Sequence, residues 1–191
     1  MITDQTNEIK RQFRLYMDGV ASSSMKEKGV EYRVNWGIKI SDLKTIASKY
    51  EKQRELAVEL WKSNSRECKI LATMLMPIEE FDSDFAQLWM EQTPTNEIAM
   101  YLAFYLVQYT ADAASLAFQW IANKSEIYQT CGYNTLSGLF GQGKQPSVRD
   151  MQELIDQAIA TRSHASINCL NKLATLSPEH EQIVESALSK L

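Results

Sequence analysis

Asn96 and Glu97 stand directly after Thr95, where the apolar run Ile98–Val107 begins. A carboxylate in the first turn of a helix meets the positive end of its dipole, so helix capping is the default chemistry of this pair. Farther along the same segment Tyr101, Tyr105 and Tyr109 fall at i, i+4 and i+8, along one helix face. Tyrosine phenols can line a pocket, and Tyr101, Tyr105 and Tyr128 are the pocket candidates. A further set has the chemistry of phosphate contact. Lys10, Arg11 and Arg14 share one helix side by their spacing. Lys26, Lys28, Arg33 and Lys39 follow, and Arg66 and Lys69, three apart, extend the stripe. Trp36 lies between Arg33 and Lys39. An aromatic among cations can stack on a nucleobase, although anchoring a loop is the commoner role.

Other chemistries find no support. Cys68, Cys131 and Cys169 are far apart and form no C-x-x-C pair, so they read as small buried apolar residues. His164 and His180 are the two histidines, and neither has a metal-ligand partner at i+3 or i+4. The chain therefore reads as metal-free and cofactor-free, without a Ser-His-Asp triad. Gly141-Gln-Gly-Lys144 lacks the spacing and preceding strand of a phosphate loop and reads as a turn.

The elements that must position these side chains are helices. The 191 residues make one domain, with few glycines and prolines and therefore short connections. Nearly every segment carries apolar residues at helical spacing. Ile9, Phe13, Tyr16, Met17 and Val20 predict one first helix, and residues 21–35 a polar connection. Ser41 is the expected cap of a helix over 42–50. Asn64-x-x-Glu67 has the form of a capping box. Pro77 stops the helix that this box would open. Helices are expected over 82–92, 95–108, 112–122, 125–140, 147–161 and 163–176, and Ser177-Pro178 opens a last one. Pairs recur at roughly 35–40 residues, the period of a HEAT-type solenoid. The fold class is thus all-α, a helical-repeat solenoid of about six antiparallel helix pairs.

Charge is unevenly spread along the chain. Residues 70–123 hold no lysine or arginine but seven acids, so the net of −4 divides into +4 for residues 1–69, −7 for the middle and −1 for the rest. Nucleic-acid binding needs cations, and an acidic middle suits a basic partner. The polar N-terminus is not a signal peptide, and the ten-residue apolar run is too short to span a bilayer. A cytoplasmic protein with no membrane contact is expected.

Three segments resemble the HEAT-like DNA alkylation repair enzymes, the AlkD-type DNA glycosylases. They are Gly29-x-x-Tyr32-x-Val34-x-Trp36-Gly37-Ile38 with Leu43-Lys44-x-Ile46-Ala47, then Leu60-Trp61-Lys62-Ser63 leading into Arg66-Glu67-x-Lys69-x-Leu71-Ala72, and Asn96-Glu97-Ile98-Ala99 after Pro94. The similarity is good over about residues 9–110. It implies a concave cleft that holds double-stranded DNA. It also implies, for an active member, metal-independent hydrolysis of the N-glycosidic bond of alkylated purines. In the family an aspartate opens a helix four residues after a tryptophan, and an arginine on the next repeat meets the DNA backbone. The best register places Asn96 at the aspartate and Gln92 at the tryptophan, and a slipped one places Ala99 at the aspartate. The arginine stretch is Ile127-Tyr128-Gln129-Thr130, with no base. Asn96 and the neighbouring Glu97 are the catalytic candidates that remain. The alternative is a non-catalytic scaffold that binds a basic protein or peptide.

Overall fold

The computed structural model describes residues 2–189 and contains, among them, twelve α-helices and no strand, only an isolated bridge between Val34 and Ser65. In chain order these are α1 (Ile2–Tyr16), α2 (Gly19–Glu27), α3 (Ile40–Ala47), α4 (Arg54–Trp61), α5 (Arg66–Leu75), α6 (Ser83–Glu91), α7 (Asn96–Tyr105), α8 (Ala113–Ile121), α9 (Glu126–Gly141), α10 (Val148–Thr161), α11 (His164–Ala174) and α12 (Pro178–Leu188). Short 3-10 turns follow α5 at Ile78–Glu80 and α7 at Val107–Tyr109.

The helices form two rows. In the inner row α3, α5, α7, α9 and α11 each pack on the next. The outer row holds α4, α6, α8 and α10, which precede their inner partners in the chain. Trp61 of α4 and Trp89 of α6 stack at 4.1 Å with planes 4° apart, and Trp120 of α8 donates to Gln87 of α6 at 3.2 Å. Aromatic pairs of this kind add to area burial. The tryptophans thus tie α4, α6 and α8 together, and Trp61, Trp89 and Trp120 are each about 2% exposed.

The central repeats are shorter than the expected period. Helices α5, α7 and α9 begin at residues 66, 96 and 126, thirty apart, each after a hydroxyl-bearing cap residue: Ser65, Thr95 and Ser125. Four-residue turns (62–65, 92–95, 122–125) join each outer helix to its partner. The spacing lengthens to 38 residues only between α9 and α11, which begins at 164, because α9 and α10 are long and residues 142–147 link them.

The N-terminal quarter departs most from expectation. The first apolar stripe does not continue to Val20: α1 ends at Tyr16, and Asp18 caps a separate α2 by accepting from the Ala21 N–H at 2.9 Å. Met17 and Val20 are exposed at this corner. Much of the expected connection over 21–35 is therefore helix. Helix α3 starts at Ile40 with Lys39 as its cap residue, not Ser41. The capping box at Asn64 is absent, since Ser65 is the cap residue of α5 and Glu67 turns inward.

Candidate nucleic-acid interface

Hydrogen bonds run between repeats along the N-terminal ends of the inner helices. Arg66 grips Glu97 with both edges of its fork, Nε to Oε2 at 2.8 Å and Nη2 to Oε1 at 2.6 Å. One repeat on, the Asn96 amide donates to Glu126 at 2.7 Å. One repeat back, the Trp36 N–H donates to Glu67 at 3.1 Å, and Arg66 Nη1 donates to the Ile38 carbonyl at 2.9 Å. The Tyr32 phenol closes the set, donating to Glu97 at 2.6 Å beside the Thr95 hydroxyl at 2.7 Å. Bidentate guanidinium–carboxylate contact is the strongest of these bonds. Burial would by itself lower the Arg66 pKa, but the bonds and charge of Glu97 raise it above its ordinary value. Burial first, and Glu97 second, push the Tyr32 phenol above its ordinary range.

Glu97 is therefore a structural partner of Arg66. Its carboxylate oxygens accept three bonds from the protein's own side chains. Asn96 is half-buried, with its amide committed to Glu126 and its Oδ1 buried without a partner. The amide at the matched position is neutral, so no carboxylate there faces open space.

The sequence-derived phosphate contacts divide in two. Lys10, Arg11 and Arg14 on α1 are exposed, as are Lys26, Lys28, Arg33 and Lys39. Lys26 and Arg33 flank a hollow of about 460 Å³ between α2 and the following connection. Arg66 and Lys69 do not join them. Arg66 is 2% exposed and saturated by Glu97, Glu67 and Ile38. Lys69 is 8% exposed, donates to the Trp61 carbonyl at 3.0 Å and lies over the Trp61 ring at 4.1 Å. Burial lowers its pKa to about 8. Trp36 is half-buried, packed on the main core with its ring 6.3 Å from Phe13. Its geometry is that of a loop anchor.

Beyond these bonds, the inner row opens into a groove of about 740 Å³. Tyr101 and Tyr105 of α7 line it with their rings 6.1 Å apart and 22° from parallel, and Phe104 stands edge-on to Tyr105 at 4.9 Å. Burial, then Glu97, raises the Tyr101 phenol to about 12, so it stays neutral at physiological pH. Tyr128 lies outside the groove, edge-on to Trp120 at 6.4 Å. The opposite wall comes from α9 and α11, and Lys44 of α3 and Lys172 of α11 supply charge. No acid is among the lining residues. The acids of the lysine-free middle lie elsewhere. Glu79, Glu80, Asp82, Asp84 and Glu91 are on or beside α6, and Asp112 precedes α8, all exposed on outer-row elements.

Sequence reasoning finds Tyr101 and Tyr105 but does not single out Lys172, Asn134 or Asn168. These come from helices far apart in the chain and have no local pattern. The bonds along the inner helices do carry a signal in the sequence: a hydroxyl followed within two residues by glutamate, recurring every thirty residues at Ser65, Thr95 and Ser125.

Two helix rows, the inner one opening into an acid-free groove, define a helical-repeat protein. The chain belongs to the DNA alkylation repair enzyme family, whose model matches residues 6–190. Its fold is similar to a solved structure from a family of proteins related to the HEAT-like repeat DNA glycosylases with affinity for branched DNA structures. The TM-score is 0.84 over 95% of this chain and 80% of that one, at 17% identity. No curated protein matches the chain. Among the described residues no cluster has the composition of a metal site, and no helix is long and apolar enough to cross a membrane.

Proposed function

We propose that this protein binds DNA in its inner groove and does not excise bases. The observation that carries the reading is the sorting of charge: the groove offers Lys44 and Lys172 and no acid, while the exposed acids of the middle lie on the outer row. A polyanion is matched by such a face, and a basic peptide is not. Membership of a DNA repair family and the affinity of the similar protein for branched DNA point the same way.

The reading against excision comes from the matched position. Asn96 replaces the aspartate, and Glu97 is bound by Arg66 and Tyr32. A carboxylate so neutralised is a poor stabiliser of a second positive centre. Gln92, at the tryptophan position, accepts from the Trp61 indole at 2.9 Å instead of presenting a ring.

The test is binding of labelled duplex and four-way-junction DNA at about 50 and about 200 mM salt, with base release from a 7-methylguanine duplex in parallel. Binding that weakens steeply with salt, and no release, is expected. Replacing Lys44 and Lys172 by alanine should lower the salt slope by about 0.9 for each phosphate that is no longer neutralised. Absence of binding at low salt overturns the DNA reading, and base release overturns the non-excising part.

A further inference from the structure

We propose that the tyrosine-lined groove is a stacking cleft for an unpaired nucleotide, so that this protein selects DNA with a base outside the duplex. The inference rests on the DNA reading above and goes further, since it names the feature of the DNA that is recognised. Three observations carry it.

The first is shape. A volume of about 740 Å³ lies in the range of clefts that enclose a molecule of nucleotide size. A whole duplex can contact only the rim of such a cleft.

The second is the wall. Phe104 is 56% exposed and Tyr109 49%, far more than aromatic residues that serve packing alone. Tyr101 and Tyr105 stand behind them, half-buried and nearly parallel. Four aromatic rings on one short helix and the turn after it line the groove, Tyr101 and Tyr105 nearly parallel and Phe104 edge-on to Tyr105, and every base has a face to lay on such a ring. The opposite wall holds the amides of Asn134 and Asn168; their nitrogens already meet the Thr130 carbonyl at 2.8 Å and His164 at 3.1 Å, and their oxygens can accept at a base edge.

The third is charge. Lys44 and Lys172 come from α3 and α11, at opposite ends of the groove, with the aromatic helix α7 between them in the inner row. A strand laid along the groove with one base turned into the cleft would pass both lysines. An apolar peptide would leave both lysines unmatched.

The experiment compares three DNAs of one sequence: a complete duplex, a duplex with a one-nucleotide bulge, and a single strand. A 2-aminopurine marks the extra base. The wild-type protein should bind the bulged and single-stranded forms at least tenfold more tightly than the complete duplex and change the 2-aminopurine emission. Phe104→Ala with Tyr105→Ala should remove most of that preference and the emission change, since stacking is sequence-tolerant and local to the rings. Tyr105→Phe keeps the ring and should keep the preference. Phe104→Ala alone, at an exposed position, covers the case in which the double variant fails to fold. Equal affinity for all three DNAs overturns the cleft while leaving DNA binding intact. So does a preference that survives removal of the rings. No binding to any of the three defeats the DNA reading itself, and the cleft with it.

Discussion

The carboxylate of Glu97 accepts two bonds from Arg66, which is 2% exposed, and one from the Tyr32 phenol. Removing its charge would leave a guanidinium buried beside Glu67 alone. Breaking a buried pair costs about 3–5 kcal/mol. Glu97 keeps 23% side-chain exposure, so water would recover part of that. Glu97→Gln should therefore destabilise the fold by about 2–4 kcal/mol in denaturant unfolding, and DNA affinity of the folded variant should be unchanged. Weakened DNA affinity with intact stability would instead place Glu97 at the nucleic-acid surface. At this scale the sequence shows half the answer. Thr95, Asn96 and Glu97 are legible as a helix start because caps are local. Arg66 is 31 residues away, and nothing in its own neighbourhood distinguishes a buried fork from a phosphate contact.

The connection from α2 to α3 is fixed by backbone contacts that only certain residues permit. Val34 exchanges bonds with Asn64 and Arg66, Asp18 donates its N–H to the Trp36 carbonyl, and Trp36 donates to Glu67. Gly37 then turns with φ +68, and a Cβ there would lie 2.1 Å from the Asp18 carbonyl oxygen and 2.8 Å from the Ser22 nitrogen. Both neighbours are backbone, so neither can swing aside. Gly37→Ala should cost more than about 2 kcal/mol, the left-handed penalty plus the clash. Gly143 has φ +79 but open space around it, so Gly143→Ala should cost only about 1 kcal/mol. Thermal melting of the two variants checks this, and equal losses would mean that the close approach at Gly37 is not a constraint. The Gly29–Ile38 motif is thus a clamp on the start of α5. Helix α2 is illegible in the sequence for a physical reason: none of its nine residues is buried, so no apolar period marks it. The helices from α4 onward bury at least one face each, α5 all ten of its residues, and their apolar residues locate them to within a few positions.

Folding sorts the charge of the whole molecule in a way the linear sequence conceals. Read along the chain, residues 70–123 are a block of −7 that argues against a polyanionic partner. The block contains both rows, however. Its inner helix α7 carries Glu97 alone, neutralised by Arg66, and its other acids project from outer-row elements. At physiological salt charges beyond about 8 Å are largely screened, so a partner in the groove meets Lys44 and Lys172 more than the net charge. This yields a contrast between two charge changes. Glu79→Lys with Asp84→Lys alters the net charge by about four units on the outer row, and DNA affinity at about 0.15 M salt should shift by less than twofold. Asn168→Asp adds one negative charge within the groove at an exposed position and should weaken binding several-fold. Its repulsion offsets part of a lysine's attraction, so the dependence on salt should become shallower. Anisotropy titrations of the two variants decide between them. If the outer-row change strengthened binding more than the groove acid weakened it, attraction would follow the overall field, and the groove would lose its claim to be the interface.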